Sequence, residues 1–217
     1  MRLRGLYGMI DTSASPERSH REITTALLRS GVRILQLRAK EASIEELKDL
    51  VAELHPLIRA AGAELILNDH AEIAAQTTGV GVHLGQGDMH PTEARALLGT
   101  DVLIGWSTHN LEQVREAQAL PIDYIGFGPV FASAGKHRSA SDTRPAMSAR
   151  GVNLVAEVLA RTSIPMVAIG GVNEENLSAL LNVGVESAAA IGAITRAPDM
   201  MSAARDIHGR LLRGSKP

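Results

Sequence analysis

The chain contains no cysteine, so neither a disulfide framework nor a thiolate metal site can hold it together. Aromatic residues are nearly as scarce, with one Trp, two Tyr and two Phe in 217 residues, too few for a platform on which nucleobases stack. Neither sign of charge dominates. The 22 Lys and Arg face 24 Asp and Glu, for a formal net charge of −2, and such a balance offers no positive field to nucleic acid or an anionic membrane. Long apolar runs are missing as well: no stretch approaches the roughly 18 apolar residues that cross a bilayer. The opening MRLRGLYGMID also lacks the apolar core of a secretory signal. These absences lead us to expect a cytoplasmic protein whose partners are small molecules rather than nucleic acid or membrane, with the oligomeric state left open.

A hydrophobic content of 45% beside 21% charged residues suffices for a sizeable core under an ordinary polar surface. One domain over residues 1–217 is the expectation, because no linker, charge block or low-complexity tract divides the chain. Short apolar runs recur at 6–11, 32–38, 64–68, 80–84, 102–107, 124–128, 165–169 and 187–191. Between them, segments such as 44–61, 112–119, 173–181 and 200–212 repeat apolar residues every three to four positions, the period of a helix that buries one face. Runs such as VLIGW, YIGFG and MVAIG are continuously apolar, as in parallel strands covered on both sides. Eight strand–helix alternations in a chain of this length predict an α/β fold, a single (β/α)8 TIM barrel. The one long irregular stretch, 131–150, follows the sixth strand, where loops beyond about 12–15 residues commonly serve as functional lids.

In such a barrel the residues that end the strands project toward one rim. Gln36, Arg38 and Lys40 alternate along the end of the second strand in QLRAK. The guanidinium fork and the compact ammonium suit a diphosphate, although a surface charge pair would look the same. Asp69 and Asp88 close the next two strands and could converge on Mg²⁺, which needs only one or two carboxylates beside water and phosphate oxygens; alternatively each caps the helix that follows. His83, set within an apolar run, reads as a hydrogen-bonded barrel residue, and His70, His109 and His137 show no zinc-ligand spacing. IGGV and IGAI follow the seventh and eighth strands, where backbone N–H groups beside glycine can approach a phosphate, or merely turn the chain.

The motifs QLRAK, NDH, GVHLGQGD, IGWSTHN, DYIGFGPVF and VAIGGV occur in this order along nearly the whole chain, and in order and spacing the sequence resembles the thiamine phosphate synthase family. That resemblance implies a Mg²⁺-assisted transferase joining an aminopyrimidine methyl diphosphate to a thiazole phosphate. It implies that Gln36, Arg38, Lys40, Asn68, Ser107 and Lys136 contact the pyrimidine diphosphate, with Arg38, Lys40, Ser107 and Lys136 catalytic. Asp69 and Asp88 would hold the metal, and Ser133, Gly135, Gly170, Gly171, Ile191 and Gly192 the thiazole phosphate. Two departures from the family pattern stand out. The segment Ala132-Ser133-Ala134-Gly135-Lys136 keeps the family's lysine but only one of two hydroxyls, and Gly192 stands where a serine is usual. Two other readings share the fold: a thiazole tautomerase, whose family has a histidine where Pro129 stands here, and a non-catalytic barrel that binds a phosphorylated ligand.

Overall fold

A computed structural model describes residues 3–132 and 148–214. Eight parallel strands close into a barrel in sequence order: β1 (Gly5–Ile10), β2 (Ile34–Leu37), β3 (Glu64–Asn68), β4 (Val80–Leu84), β5 (Ile104–Thr108), β6 (Tyr124–Phe127), β7 (Met166–Ile169) and β8 (Ser187–Ala189). The helices between and after them are α1 (His20–Arg29), α2 (Ile44–Ala60), α3 (Ala71–Ala74), α4 (Pro91–Leu98), α5 (Leu111–Ala117), α6 (Val152–Arg161), α7 (Leu177–Asn182), α8 (Gly192–Thr195) and α9 (Met200–Gly214). The expected barrel is therefore present, each strand overlapping its anticipated run. Four strands end earlier than expected, β1 and β6 by one residue and β2 and β8 with more consequence for the rim. β2 stops at Leu37, so Arg38 lies just beyond it, and β8 stops at Ala189 because Ile191 already serves as the N-cap of α8. None of the described helices is long and apolar enough to cross a membrane.

Alternation along the strands divides the apolar side chains between two cores. On β1, Leu6 and Ile10 face the helices, whereas Tyr7 and Met9 face the barrel interior with Ile34, Ile66, Tyr124, Val167 and Ala189. The outer core continues onto the helices, where Ile23 and Leu27 of α1 and Leu47, Val51, Leu54 and Ile58 of α2 are buried. Each such side chain contributes about 1.5–3 kcal/mol by leaving water. Both helices begin in a capping box, Ser19 with Glu22 and Ser43 with Glu46, which satisfies backbone donors that the first turn would otherwise leave open.

Glycines tune the rim. Gly170 and Gly171 have φ of 97° and 67°, and a Cβ on Gly171 would lie 2.9 Å from Phe131 Cβ, so no larger residue fits that turn. Across from it, Val130 N–H donates to Ile169 O at 2.9 Å and Phe131 N–H to Gly170 O at 3.0 Å. Arg150 N–H donates to Pro129 O at 2.8 Å and Gly151 N–H to Val130 O at 2.9 Å, so the two ends of the 131–150 segment are tied together beside β7. Residues 133–147, and with them most of the anticipated lid, lie outside the described residues.

Candidate active site at the carboxyl rim of the barrel

The ends of β1 to β4 bring five charged side chains, Asp11, Arg38, Lys40, Asp69 and Asp88, to adjoining parts of the rim. Arg38 donates through Nη1 to Asp11 Oδ2, and Asp11, buried at the end of β1, also accepts from the Ser13 N–H at 2.8 Å. The guanidinium is thus held by a buried carboxylate whose other oxygen is taken up by the Ser13 N–H and hydroxyl. Lys40 Nζ stands 3.9 Å from Asp69 Oδ2, both side chains partly accessible. Asp69 follows β3 with φ of 68° and fixes its position by donating its N–H to His83 O at 2.9 Å. Asp88 reaches back over the β4 turn, where its Oδ2 accepts from the Gly85 N–H at 2.6 Å.

Asp69 and Asp88 converge. Burial, the Asp88 charge and a hydrogen bond between the two carboxyls raise Asp69 to about 6 from its ordinary 3.8, against the smaller lowering effects of Lys40 and Arg38. Two carboxyls so close cannot both ionise cheaply, and a divalent cation is what relieves that repulsion. Neither aspartate caps a helix: the N-cap of α3 is His70 and that of α4 is His90. No group of three or more His, Asp or Glu side chains able to hold a metal occurs among the described residues; an all-oxygen pair of carboxyls matches the ligand type of Mg²⁺, which takes one or two carboxylates and fills its shell with water and phosphate oxygens.

The neutral candidates lie deeper. Gln36 is buried and its Nε2 donates to Tyr7 Oη at 3.1 Å. Tyr7 and Tyr124 hydroxyls meet at 2.6 Å. Tyr124 Oη is 3.1 Å from His83 Nδ1, and His83 Nε2 is 2.9 Å from Ser107 Oγ. Burial raises both phenols above their ordinary range and pushes His83 down to about 4, the Asp88 charge opposing the latter. Asn68 pairs in register with His83 and its amide bonds to no other described side chain. On the far side, the Gly171 and Gly192 N–H groups find no acceptor among the described residues, while the space a Cβ would take on Gly192 is filled by the guanidinium of Arg196. Gly170 and Ile191 flank those two turns.

A family model described as thiamine monophosphate synthase matches residues 6–194. The chain belongs to that family. The thiamine-phosphate synthase of Chloroflexus aurantiacus is 36% identical over 202 residues, 93% of this chain and 90% of that protein. That of Synechococcus sp. (strain CC9605) is 42% identical over 182 residues, and there the match takes in 84% of this chain but 49% of the relative, so this chain spans about half its length. Among solved structures, the thiamine phosphate pyrophosphorylase from Pyrococcus furiosus superposes with a TM-score of 0.83 at 28% identity, covering 98% of this chain and 97% of that one.

Within the synthase family frame, the rim gathers Arg38, Lys40, Asn68, Asp69, Asp88 and Ser107 into one region, with Gln36 beneath it and Gly170, Gly171, Ile191 and Gly192 on the opposite side. Ser133, Gly135 and Lys136 lie outside the described residues. Three participants were not among the candidates read from the sequence. Asp11, the partner of Arg38, ends strand one just as the chosen candidates end theirs, and the same rule of strand ends would have found it. Tyr7 and Tyr124 sit inside apolar runs, and only the closed barrel reveals that residues 117 positions apart share a hydrogen bond.

Proposed function

We propose that this chain is a thiamine-phosphate synthase, condensing 4-amino-5-hydroxymethyl-2-methylpyrimidine diphosphate with hydroxyethylthiazole phosphate to give thiamine phosphate and diphosphate in the cytoplasm. The observation that carries this reading is the convergence of two cations and a carboxyl pair, Arg38, Lys40, Asp69 and Asp88, at adjoining strand ends, in a chain of the synthase family. Asp69 and Asp88 would hold Mg²⁺, and when bound it would stabilise negative charge growing on the diphosphate leaving group.

The chain's own residues account for the remaining steps. Arg38, held in place by Asp11, and Lys40 bind the diphosphate and stabilise it as the methylene C–O bond breaks and its electron pair departs with the leaving group. The pyrimidine methyl cation so formed is stabilised by the ring's amino group, and the thiazole nitrogen then donates its lone pair to that carbon. Asn68 and Ser107 orient the pyrimidine half. The open N–H groups of Gly171 and Gly192, beside Gly170 and Ile191, receive the thiazole phosphate. No general base is required, because the attacking nitrogen carries no proton to lose. Pro129, which a tautomerase would need to replace with an acid–base group, offers none.

The deciding experiment incubates the pure protein with both phosphorylated halves and Mg²⁺ and follows thiamine phosphate and diphosphate. Equimolar formation of both, abolished by excess chelator and restored by Mg²⁺, is expected. Absence of thiamine phosphate under all metal conditions, or full turnover in chelator, would overturn the assignment or its metal respectively.

A further inference from the structure

Five side chains from five strands join across the barrel interior in the order Gln36, Tyr7, Tyr124, His83, Ser107, with separations of 3.1, 2.6, 3.1 and 2.9 Å. Each hydroxyl brings a single proton, so the direction of the bond at one end dictates every other direction. With its amide oriented as in this structure, Gln36 donates through Nε2, which makes Tyr7 Oη an acceptor at that contact; the reversed amide would send every proton the other way, the outcome that the His83 tautomer tests. Tyr7 is buried, and its own proton has no acceptor among the described residues except Tyr124 Oη. Leaving that proton unpaired would carry the full cost of desolvating it. Tyr124, having accepted from Tyr7, must then give its proton to His83 Nδ1. An accepting Nδ1 leaves the ring proton on Nε2, which donates to Ser107 Oγ. The Ser107 proton is the one that remains for a ligand.

The geometry points to a hydrogen-bond relay of fixed polarity in which Tyr7, Tyr124 and His83 act as positioning residues that present Ser107 to the pyrimidine diphosphate as a donor. This rests on the synthase reading for the identity of the ligand. The polarity matters because ionised diphosphate oxygens only accept hydrogen bonds. A relay running the other way would aim Ser107's lone pairs at an anion. The strands are also shaped around the ring. A Cβ on Gly126 would lie 3.0 Å from His83 Cε1 and 3.3 Å from Nε2, and one on Gly105 would overlap both the His83 and Tyr124 rings. Glycine at these two positions of β5 and β6 is the space in which the relay is seated.

The direct test is the His83 tautomer in the full-length protein, read from long-range ¹H–¹⁵N correlation spectra at neutral pH, with the His83 signals assigned by their loss in His83→Gln. A proton on Nε2 and none on Nδ1 is expected. A proton on Nδ1 overturns the proposal, since the relay would then run from Ser107 toward Gln36. This readout needs no substrate and stands even if the wild-type protein makes no thiamine phosphate, which would sink the synthase reading alone.

Tyr124→Phe supplies the kinetic arm. Without the proton donor to Nδ1, His83 should populate both tautomers. KM for the pyrimidine diphosphate should then rise roughly tenfold, the worth of one hydrogen bond to a charged group, with KM for the thiazole phosphate unchanged. Ser107→Ala should raise the same KM, and adding it to Tyr124→Phe should add little further, as expected for two residues on one path. Equal changes in both KM values, or fully additive effects of the two substitutions, would overturn the relay. Should Tyr124→Phe fail to fold, the wild-type tautomer still decides.

Discussion

Asp69 combines three properties rarely found in one residue. It has a positive φ of 68°, the only such value at a non-glycine among the described residues, it is raised to about 6 by burial and by Asp88, and it lies 3.9 Å from Lys40. Asp and Asn tolerate that left-handed backbone better than other side chains because they hydrogen-bond locally. Two substitutions therefore separate charge from conformation. Asp69→Asn keeps the backbone and removes the charge, so the Mg²⁺ concentration for half-maximal turnover should rise at least about tenfold, in keeping with loss of one hard oxygen ligand. Asp69→Ala should show the same metal defect plus about 1 kcal/mol of backbone strain, seen as a lower urea midpoint than the Asn variant. A Mg²⁺ titration of Asp69→Asn that superimposes on wild type would remove Asp69 from the metal site.

The strands show what a sequence reveals and what it hides. Val80–Leu84 and Glu64–Asn68 were legible to the residue, because turn residues bound a short apolar run on both sides. The C-terminal residues of those strands led to Asn68, Asp69 and Asp88 by position alone. The convergence of Asp69 with Asp88 was readable only as a possibility, since it depends on the Asp88 carboxylate folding back to the Gly85 N–H at 2.6 Å. Gly105 and Gly126 interrupt the apolar runs of β5 and β6. Their purpose is visible only across the barrel, where His83 and Tyr124 fill the space they leave. Gly105→Ala should therefore cost about 2–4 kcal/mol, since its Cβ would overlap the rings of both Tyr124 and His83, which are held by their own hydrogen bond. Gly62→Ala makes a useful contrast, because a Cβ there meets nothing within 4 Å and only its φ of 66° opposes the change. Urea denaturation of the two variants should rank Gly105→Ala as the more damaged, and the reverse order would mean that the barrel interior yields more easily than its hydrogen bonds suggest.

At the scale of the whole molecule, two neighbouring groups pull the pH dependence of stability in opposite directions. His83 is pushed down to about 4 from 6.5 by burial, and His20, His55 and His208 are also lowered, burial being the largest cause in each. Below pH 6.5 the unfolded chain takes up protons at these positions before the native chain does, so their contribution is complete above 6.5 and is lost as pH falls below it, for His83 toward about 4. For His83 this amounts to on the order of 2–3 kcal/mol after allowance for its partial accessibility. Asp69 works the other way. The native state keeps its proton up to about 6 while the unfolded chain releases it near 3.8, so stability falls as pH rises through that window, and the cost is complete above pH 6. Between pH 4 and 6 the two slopes oppose each other and the wild-type profile should be shallow. Asp69→Asn removes one arm: measured as urea midpoints in chelator, the variant should match wild type near pH 4, climb more steeply to pH 6.5, and stand above wild type at pH 8 by on the order of 1–2 kcal/mol. Mg²⁺ should raise the wild-type midpoint more at pH 8 than at pH 5, since only the ionised carboxyl pair attracts it, and should leave the variant almost unmoved. Parallel profiles for the two proteins, with equal responses to Mg²⁺, would show that Asp69 and Asp88 do not share a proton and would remove the electrostatic reason for placing a cation between them.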